Sequence, residues 1–127
     1  MLDTHAWIWW TDDPERLSGP ARKAIAAADS IGVAAISCWE VGMLFGGGRI
    51  TLDREVSRWV RQALSQAGIT ALAIGSKVAL EAALLEHEGF AGDPADRLIY
   101  ATARDAGAVL VTRDARLREH DPRGTLW

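Results

Sequence analysis

The chain has 127 residues, of which 49% are hydrophobic, and this is a single-domain length with enough apolar side chains for one core. A net charge of −3 excludes a polybasic nucleic-acid binder, and the single cysteine, Cys38, excludes a disulfide framework or a cysteine-cluster zinc site. No apolar run approaches the roughly 20 residues of a membrane span, and Asp3 and His5 interrupt the start where a signal peptide would be apolar, so we expect a cytoplasmic protein.

The first half of the chain alternates short apolar segments with segments of helical pattern. Residues 1–4 predict the end of a short strand, and residues 7–11 predict a turn or short helix. Ser18 is a suitable N-cap for a helix that carries Pro20 in its first turn and continues to residue 28. Residues 32–36 predict a buried strand, residues 37–45 predict the next helix, and the three glycines at 46–48 end it.

The second half repeats this alternation. Asp53 is the predicted cap of a helix whose apolar residues keep a 3.6-residue period through Leu64. Residues 69–74 predict a third strand, followed by a helix capped by Ser76 and, after a loop at 86–92, a helix that starts at Asp93 and Pro94. Residues 108–112 and 125–127 predict the last strands. Strands separated by helices indicate an α/β fold, a mostly parallel sheet between helical layers, in one domain over residues 1–127.

Four carboxylates stand where these apolar segments end or begin: Asp3, Glu40, Asp96 and Asp114. Because ligands of an open α/β sheet bind at the carboxyl ends of its strands, we expect the four side chains to converge there. Neighbouring carboxylates repel one another unless their pKa values rise or cations neutralise them. Sites made only of oxygen ligands favour Mg²⁺ or Mn²⁺. The pattern therefore predicts metal-assisted phosphoryl chemistry.

Each acid also has a structural interpretation. Ser37 and Glu40 have the spacing of a capping box, Asp96 occupies the third position of a predicted helix, and Asp114 is placed to cap a short one. Asp3 is harder to explain in this way, because a carboxylate in a buried strand is costly unless it is paired or metal-bound. The joint placement of all four acids favours the metal site.

Four further side chains are candidates for contact with a phosphate-bearing substrate. Arg49 follows the three glycines, Arg97 and Arg113 each adjoin a predicted site acid, and His5 lies two positions after Asp3. The alternative for the arginines is a solvated surface charge, and for His5 it is packing or capping. The glycine run lacks the Lys and Ser/Thr that follow it in a phosphate-binding P-loop.

Four blocks of the sequence carry a resemblance to a known family. They are Leu2-Asp3-Thr4-His5-Ala6-Trp7, Ile36-Ser37-Cys38-Trp39-Glu40, Asp93-Pro94-Ala95-Asp96-Arg97-Leu98-Ile99 and Leu110-Val111-Thr112-Arg113-Asp114. In order and spacing they resemble the signature blocks of PIN-domain ribonucleases, above all the VapC toxins of type II toxin–antitoxin modules. The resemblance implies a three-layer α/β/α sandwich around a parallel sheet and a Mg²⁺- or Mn²⁺-dependent endoribonuclease. It also implies neutralisation by a cognate VapB-type antitoxin and a homodimer.

The resemblance also implies roles for residues. The acidic site would be Asp3, Glu40, Asp96 and Asp114, with Thr112 supporting the last acid. We expect Asp3 and Asp96 to be direct metal ligands, Glu40 to be a ligand or the acceptor of a proton from water, and Asp114 to complete the site. The substrate would be RNA, with transfer RNA a common target in the resembled family, and the product would carry a 5′-phosphate.

Two other classes compete with this interpretation. A phosphoacceptor signalling domain needs an adjacent acidic pair after its first strand and a late lysine, whereas Asp3 stands alone and Lys77 is the last lysine. A catalytically silent PIN-like module that binds RNA or a protein would keep the fold and lose acids, whereas all four acids are present.

The tryptophan content bears on assembly. The chain has six tryptophans, and Trp7, Trp9 and Trp10, together with the amphipathic segment 56–60, supply more aromatic surface than a small core readily hides. Exposed apolar patches often mark interfaces. We therefore expect a homodimer that uses part of this surface, since symmetric dimers are the commonest assembly.

Overall fold

A computed structural model describes all residues from Met1 to Trp127. Seven α-helices alternate with four short strands, and a 3₁₀ turn lies at Pro14–Arg16. The helices are α1 (Thr4–Asp12), α2 (Gly19–Ala26), α3 (Ala35–Gly46), α4 (Val56–Leu64), α5 (Ser76–Leu84), α6 (Pro94–Asp105) and α7 (Ala115–His120). The strands are β1 (Ile31–Ala34), β2 (Ile69–Leu72), β3 (Leu110–Val111) and β4 (Thr125–Leu126).

The sheet consists of two parallel ladders joined through one residue near the chain start. Strand β1 pairs with β2 from Ile31 opposite Ile69, and β3 pairs with β4 from Leu110 opposite Thr125. Leu2 forms parallel bridges to both ladders, to Val33 on one side and to Val111 on the other. The spatial order is therefore β2, β1, the Leu2 segment, β3 and β4, with every pairing parallel.

Helices cover both faces of this sheet. Successive residues of a strand point to opposite faces, and the neighbours Val33 and Ala34 accordingly belong to two different apolar clusters. Val33 packs with Leu2 and residues of α1, α2 and α4, whereas Ala34 packs with Leu110 and residues of α6 and α7. The predicted α/β fold with a parallel sheet is confirmed.

The start of α3 differs from the prediction. The helix begins at Ala35, directly after β1, so that Ser37 is the third helical residue rather than the cap. The capping box of Ser37 and Glu40 is therefore wrong: Ala34 holds the N-cap position without a side-chain bond, and the buried Ser37 hydroxyl has no hydrogen-bond partner. The chain passes from strand to helix without a loop. Ala34 is both the last residue of β1 and the extended N-cap residue of α3.

Other boundaries shift by a few residues. Glu55, not Asp53, caps α4 by accepting from the Ser57 and Arg58 amides, and Asp53 instead pairs with Arg54. Gly75 precedes α5, so Ser76 is its first helical residue. The strands are shorter than their apolar runs, because pairing with the neighbouring strand stops before the run ends. The caps predicted at Ser18 and Asp93 are confirmed.

The proposed surplus of exposed tryptophan is wrong. Trp7 and Trp59 are fully buried and meet edge to face with ring centroids 5.2 Å apart. The Trp59 indole N–H donates to the Asp12 carboxylate, so its polar atom is satisfied. Trp9 is also buried, and Trp10 packs against the same cluster. Helix α1, which Asp3 caps, directs the rings of Trp7 and Trp9 into the core. A count of tryptophans alone could not reveal this.

The exposed large apolar side chains lie elsewhere. Trp39 and Met43 project from α3, and Leu80 and Leu84 project from α5. A homodimer stays a prediction, and these helices, rather than Trp7 and Trp9, offer the apolar surface for it. Light scattering of the isolated chain at high micromolar concentration checks it, and a monomer there would count against it. None of the helices is long and apolar enough to cross a membrane.

Candidate active site

The four predicted acids lie at the carboxyl edge of the sheet. Asp3 directly follows Leu2 of the central segment, and Asp114 lies three residues beyond Val111, the last residue of β3. Glu40 lies in the second turn of α3, which continues from β1, and Asp96 lies in the first turn of α6. This is the edge at which parallel α/β sheets bind their ligands.

Asp3 has a structural role in addition to any chemical one. Its carboxylate accepts from the Ala6 amide at 2.6 Å and is the N-cap of α1, a role that its predicted place in a strand did not suggest. Burial raises the pKa of Asp3, while the Thr112 hydroxyl and the Ala6 amide oppose that rise. The fully buried Thr112 hydroxyl also accepts from the Asp114 amide at 3.1 Å. Thr112 therefore ties the first acid to the segment that carries the last one.

Glu40 is held by a hydroxyl from the chain start. Thr4 is 2% exposed, and its hydroxyl donates a short hydrogen bond to Glu40 Oε2. Burial raises the pKa of Glu40, the Thr4 bond and His5 lower it, and the charges of Asp3 and Asp93 raise it further. A carboxylate with a raised pKa that is fixed by a neighbour is suited to accept a proton.

Asp96 has a strongly perturbed carboxyl group. Its pKa is raised to about 6, first by burial and then by the negative charges of Glu40, Asp114 and Asp93. The charges of Glu40 and Asp114 therefore act on Asp96, and a shared site of the four acids stays a prediction. A strongly perturbed carboxyl group in a cleft is characteristic of functional sites.

Arg116 spans two of the acids. Its guanidinium Nη2 lies 3.1 Å from Asp114 Oδ2 and 3.5 Å from Asp96 Oδ2. The Asp114 carboxylate also accepts from the Arg116 amide at 2.7 Å, so the predicted cap of α7 is confirmed. Burial raises the pKa of Asp114, but the bonds and charge of Arg116 outweigh it and the net pKa is lowered. Two acids that face each other thus have opposite pKa shifts.

The side chains lie near one another without forming a complete ligand cage. No three histidine, cysteine, aspartate or glutamate side chains are placed to hold one metal ion together. Asp3 and Asp114 are engaged as helix caps, and Glu40 is bonded to Thr4. The donor set itself, made only of carboxylate oxygens, is the type that Mg²⁺ and Mn²⁺ prefer. Binding of such an ion by several acids requires some of these contacts to rearrange.

A cleft of about 500 Å³ opens beside the acids. Eight residues line it: His5, Trp39, Glu40, Met43, Leu44, Arg49, Asp93 and Asp96. The cleft thus brings together two of the four predicted acids, while Asp3 and Asp114 lie outside its lining. It combines acidic groups with an exposed indole and a cation, a mixture that suits a ligand with phosphates and bases.

The predicted basic contacts divide into two groups. His5 and Arg49 line the cleft, and their contact with a substrate stays a prediction. Arg97 is largely buried, with its side chain 16% exposed and paired to Glu86 at 3.1 Å, so it is poorly placed to meet a substrate. Arg113 is exposed and makes no ion pair, although its backbone lies against the Asp3 carboxylate.

Sequence reasoning missed three side chains at this site: Thr4, Trp39 and Arg116. Thr4 lies beside Asp3, and Trp39 lies beside Glu40, so adjacency to a site acid was the available signal for both. Arg116 follows Asp114 by two residues, but only the first turn of α7 turns its side chain back toward Asp96.

Comparisons with known proteins agree on one family. The PIN domain family model matches residues 1–121. The chain is 45% identical, over 132 aligned residues, to Ribonuclease VapC22 of Mycobacterium tuberculosis (strain ATCC 25618 / H37Rv), and the alignment covers 100% of this chain and 97% of that protein.

Solved structures agree on the fold. A toxin-antitoxin complex from Klebsiella pneumoniae contains a chain with a TM-score of 0.71 and 21% identity, covering 99% of this chain and 94% of that one. The VapBC2 complex from Rickettsia felis, bound to a DNA fragment from its promoter, gives a TM-score of 0.67 at 15% identity, covering 99% of this chain and 98% of that one.

Proposed function

This chain belongs to the PIN-domain family, and from that membership we propose that it is a metal-dependent endoribonuclease toxin of the VapC type, neutralised by a cognate VapB-type antitoxin. One observation supports the proposal: Glu40 and Asp96 line one cleft, and Arg116 links Asp96 to Asp114. The relative named as a ribonuclease supports RNA as the substrate.

The residues suit a divalent cation. The four acids carry more negative charge than the single exposed guanidinium of Arg116 balances, and burial of Asp3, Glu40 and Asp96 disfavours their charged forms. Mg²⁺ or Mn²⁺ would relieve that imbalance, and when bound it supplies positive charge to phosphate oxygens and a water of lowered pKa. We propose Asp3 and Asp96 as its direct ligands, with Asp114 completing the site.

The side chains of the protein perform the remaining tasks. Glu40, oriented by the Thr4 hydroxyl, is placed to hold the ion or to take a proton from water. Thr112 positions both Asp3 and the amide of Asp114. Arg49 and His5, on the wall of the cleft, are the proposed contacts to the RNA backbone.

The function has a direct test. Purified chain should cleave RNA only with Mg²⁺ or Mn²⁺, lose activity in EDTA, and leave 5′-phosphate and 3′-hydroxyl ends. End mapping of the cleavage products measures this, with Asp96→Asn as the matched inactive control. Cleavage that survives EDTA and leaves 2′,3′-cyclic phosphate would replace this mechanism with a histidine-based one. Absence of cleavage with any RNA and metal would favour the catalytically silent binding module.

We propose that a base of the RNA stacks on the indole ring of Trp39. It is 56% exposed and lines the cleft next to Glu40, and single-stranded RNA is commonly bound by stacking of bases on such rings. We expect Trp39→Leu to raise KM for RNA by about tenfold, because stacking is worth about 1–3 kcal/mol per base, with a smaller effect on kcat. Trp39→Phe should recover most of the loss. Steady-state kinetics of the three proteins measures it, and equal KM values would refute it.

The antitoxin should occlude the same cleft. Carboxylates open to solvent accept an arginine guanidinium well, because its fork matches their geometry. We propose that the partner places a basic side chain near Asp3 and Asp96, and two structural neighbours are toxin–antitoxin complexes. Inhibition assays with antitoxin variants check this. Full inhibition after loss of every basic residue in the bound segment would contradict it.

A further inference from the structure

Arg116 is the only cation that pairs with the candidate acids. Of the ion pairs in the structure, the two that involve Asp96 or Asp114 are both made by its Nη2 atom, at 3.5 and 3.1 Å. Neither Asp3 nor Glu40 has an ion pair. The guanidinium is 61% exposed, so it reaches the acids from the solvent side rather than from the core.

The position of Arg116 is set by its helix. Asp114 caps α7 and accepts from the Arg116 amide, which fixes the start of the side chain, while the side chain itself is largely exposed to solvent. Arg116 also lines a second hollow, of about 390 Å³, formed with Gly89, Phe90, Ala91, Glu119 and His120. The side chain therefore has room to leave the acids without any change in the backbone.

We propose that Arg116 is an internal counter-ion that competes with the divalent cation for Asp96 and Asp114 and, once displaced, binds a phosphate of the RNA. The inference rests on the proposed function. A divalent cation held by Asp96 or Asp114 lies within a few bond lengths of the guanidinium, and the two positive charges repel, so each weakens the binding of the other to these acids. The released guanidinium is a strong phosphate donor at the edge of the site.

The competition should be measurable as a change in metal affinity. Loss of an exposed ion pair shifts an equilibrium by a modest factor, so Arg116→Gln should bind Mn²⁺ about threefold to fivefold more tightly than wild type. Arg116→Lys should lie between the two, because an ammonium keeps the charge but lacks the fork. Isothermal titration of Mn²⁺ into the full chain, without RNA, measures all three dissociation constants.

Arg113→Gln is the matched control. It removes the same charge from an exposed position next to Asp114, but Arg113 makes no ion pair with the acids. Its Mn²⁺ affinity should change by less than about twofold, since only long-range, solvent-screened attraction is altered. An equal gain in both variants would show a general charge effect and overturn the competition.

The second half of the inference is tested with RNA at saturating Mn²⁺. Arg116→Gln should raise KM by about fivefold, the loss expected of one charge-assisted contact, and leave kcat within about twofold. Tighter Mn²⁺ binding with an unchanged KM would overturn the phosphate contact. The same Mn²⁺ affinity in wild type and Arg116→Gln would overturn the competition alone, whereas no Mn²⁺ binding by any variant would also remove the metal site of the proposed function.

Discussion

Asp96→Asn is expected to reduce RNA cleavage by more than about a hundredfold and to leave the metal-free protein as stable as wild type or more stable. The loss of cleavage follows because the variant removes a proposed direct ligand of the cation. The unchanged or increased stability follows because the neutral amide of the variant no longer brings a charge close to those of Glu40, Asp114 and Asp93, which raise the pKa of the wild-type carboxyl group.

The size of this stability difference between wild type and Asp96→Asn depends on pH. The pKa of Asp96 rises from 3.8 to about 6 on folding, so the folded state binds its proton more tightly than the unfolded state. The associated stabilisation is complete below pH 3.8 and is lost as pH rises through about 6. The full difference corresponds to about 3 kcal/mol, which solvent screening of this partly exposed carboxylate reduces to about 1 kcal/mol. Wild type should therefore lose stability between about pH 4 and 6 relative to Asp96→Asn.

Thermal unfolding of both proteins in EDTA and in Mn²⁺ measures these effects. An ion that binds only the native state stabilises it by about 2.7 kcal/mol at a hundredfold excess over its dissociation constant. Wild type should gain this stabilisation, and Asp96→Asn should gain little. If Mn²⁺ leaves the wild-type midpoint unmoved while Asp96→Asn strongly destabilises the metal-free protein, Asp96 acts only at the start of α6.

Two substitutions of Asp3 should separate its role as a helix cap from its proposed role as a metal ligand. Asp3→Asn keeps an oxygen that accepts from the Ala6 amide, so α1 keeps its cap, but the charge proposed to hold the cation is gone. Asp3→Ala removes both. We expect both variants to lose cleavage by more than about a hundredfold, and Asp3→Ala to be less stable than Asp3→Asn by about 1–2 kcal/mol.

Urea unfolding at pH 7 in EDTA gives the stability difference, and RNA cleavage in Mn²⁺ gives the activity. The comparison between the two variants cancels the loss of the buried charge, which both share, and leaves the hydrogen bonds of the side-chain oxygen, of which the bond to the Ala6 amide is the cap. Wild-type cleavage by Asp3→Asn would exclude the metal role, and equal stability of the two variants would exclude the cap.

The sequence order of elements was predictable because each depends on local pattern. The strand before Glu40, the helix begun by Asp93 and Pro94, and the strand before Asp114 all carry their signals within a few residues. The start of α3 was not predictable, because the chain passes directly from strand to helix at Ala34, whose side chain makes no capping hydrogen bond that the sequence could reveal. The burial of Trp7 and Trp59 was missed for a different reason, since it depends on two helices that are distant in sequence.

In the site, too, features set by local sequence were predictable and contacts between distant segments were not. The positions of the acids at the carboxyl edge follow from strand ends, which the chain pattern marks. The contacts that modify them do not follow from that pattern: Thr4 reaches Glu40 across 36 residues, and Arg116 reaches Asp96 across 20. Which acids act as ligands remains a prediction for the experiments above.

The Leu2 bridge has a consequence for when the molecule becomes active. The residue before Asp3 is joined to Val33 and to Val111, and the Met1 amino group donates to the Val109 carbonyl, so the segment before Asp3 is paired with residues more than 100 positions later. During synthesis, Asp3 leaves the ribosome before β3 and Asp114, to which the Leu2 bridge joins its segment. Contacts between such distant segments form late in folding. A nascent chain therefore carries an unfinished site until Asp114 has been translated.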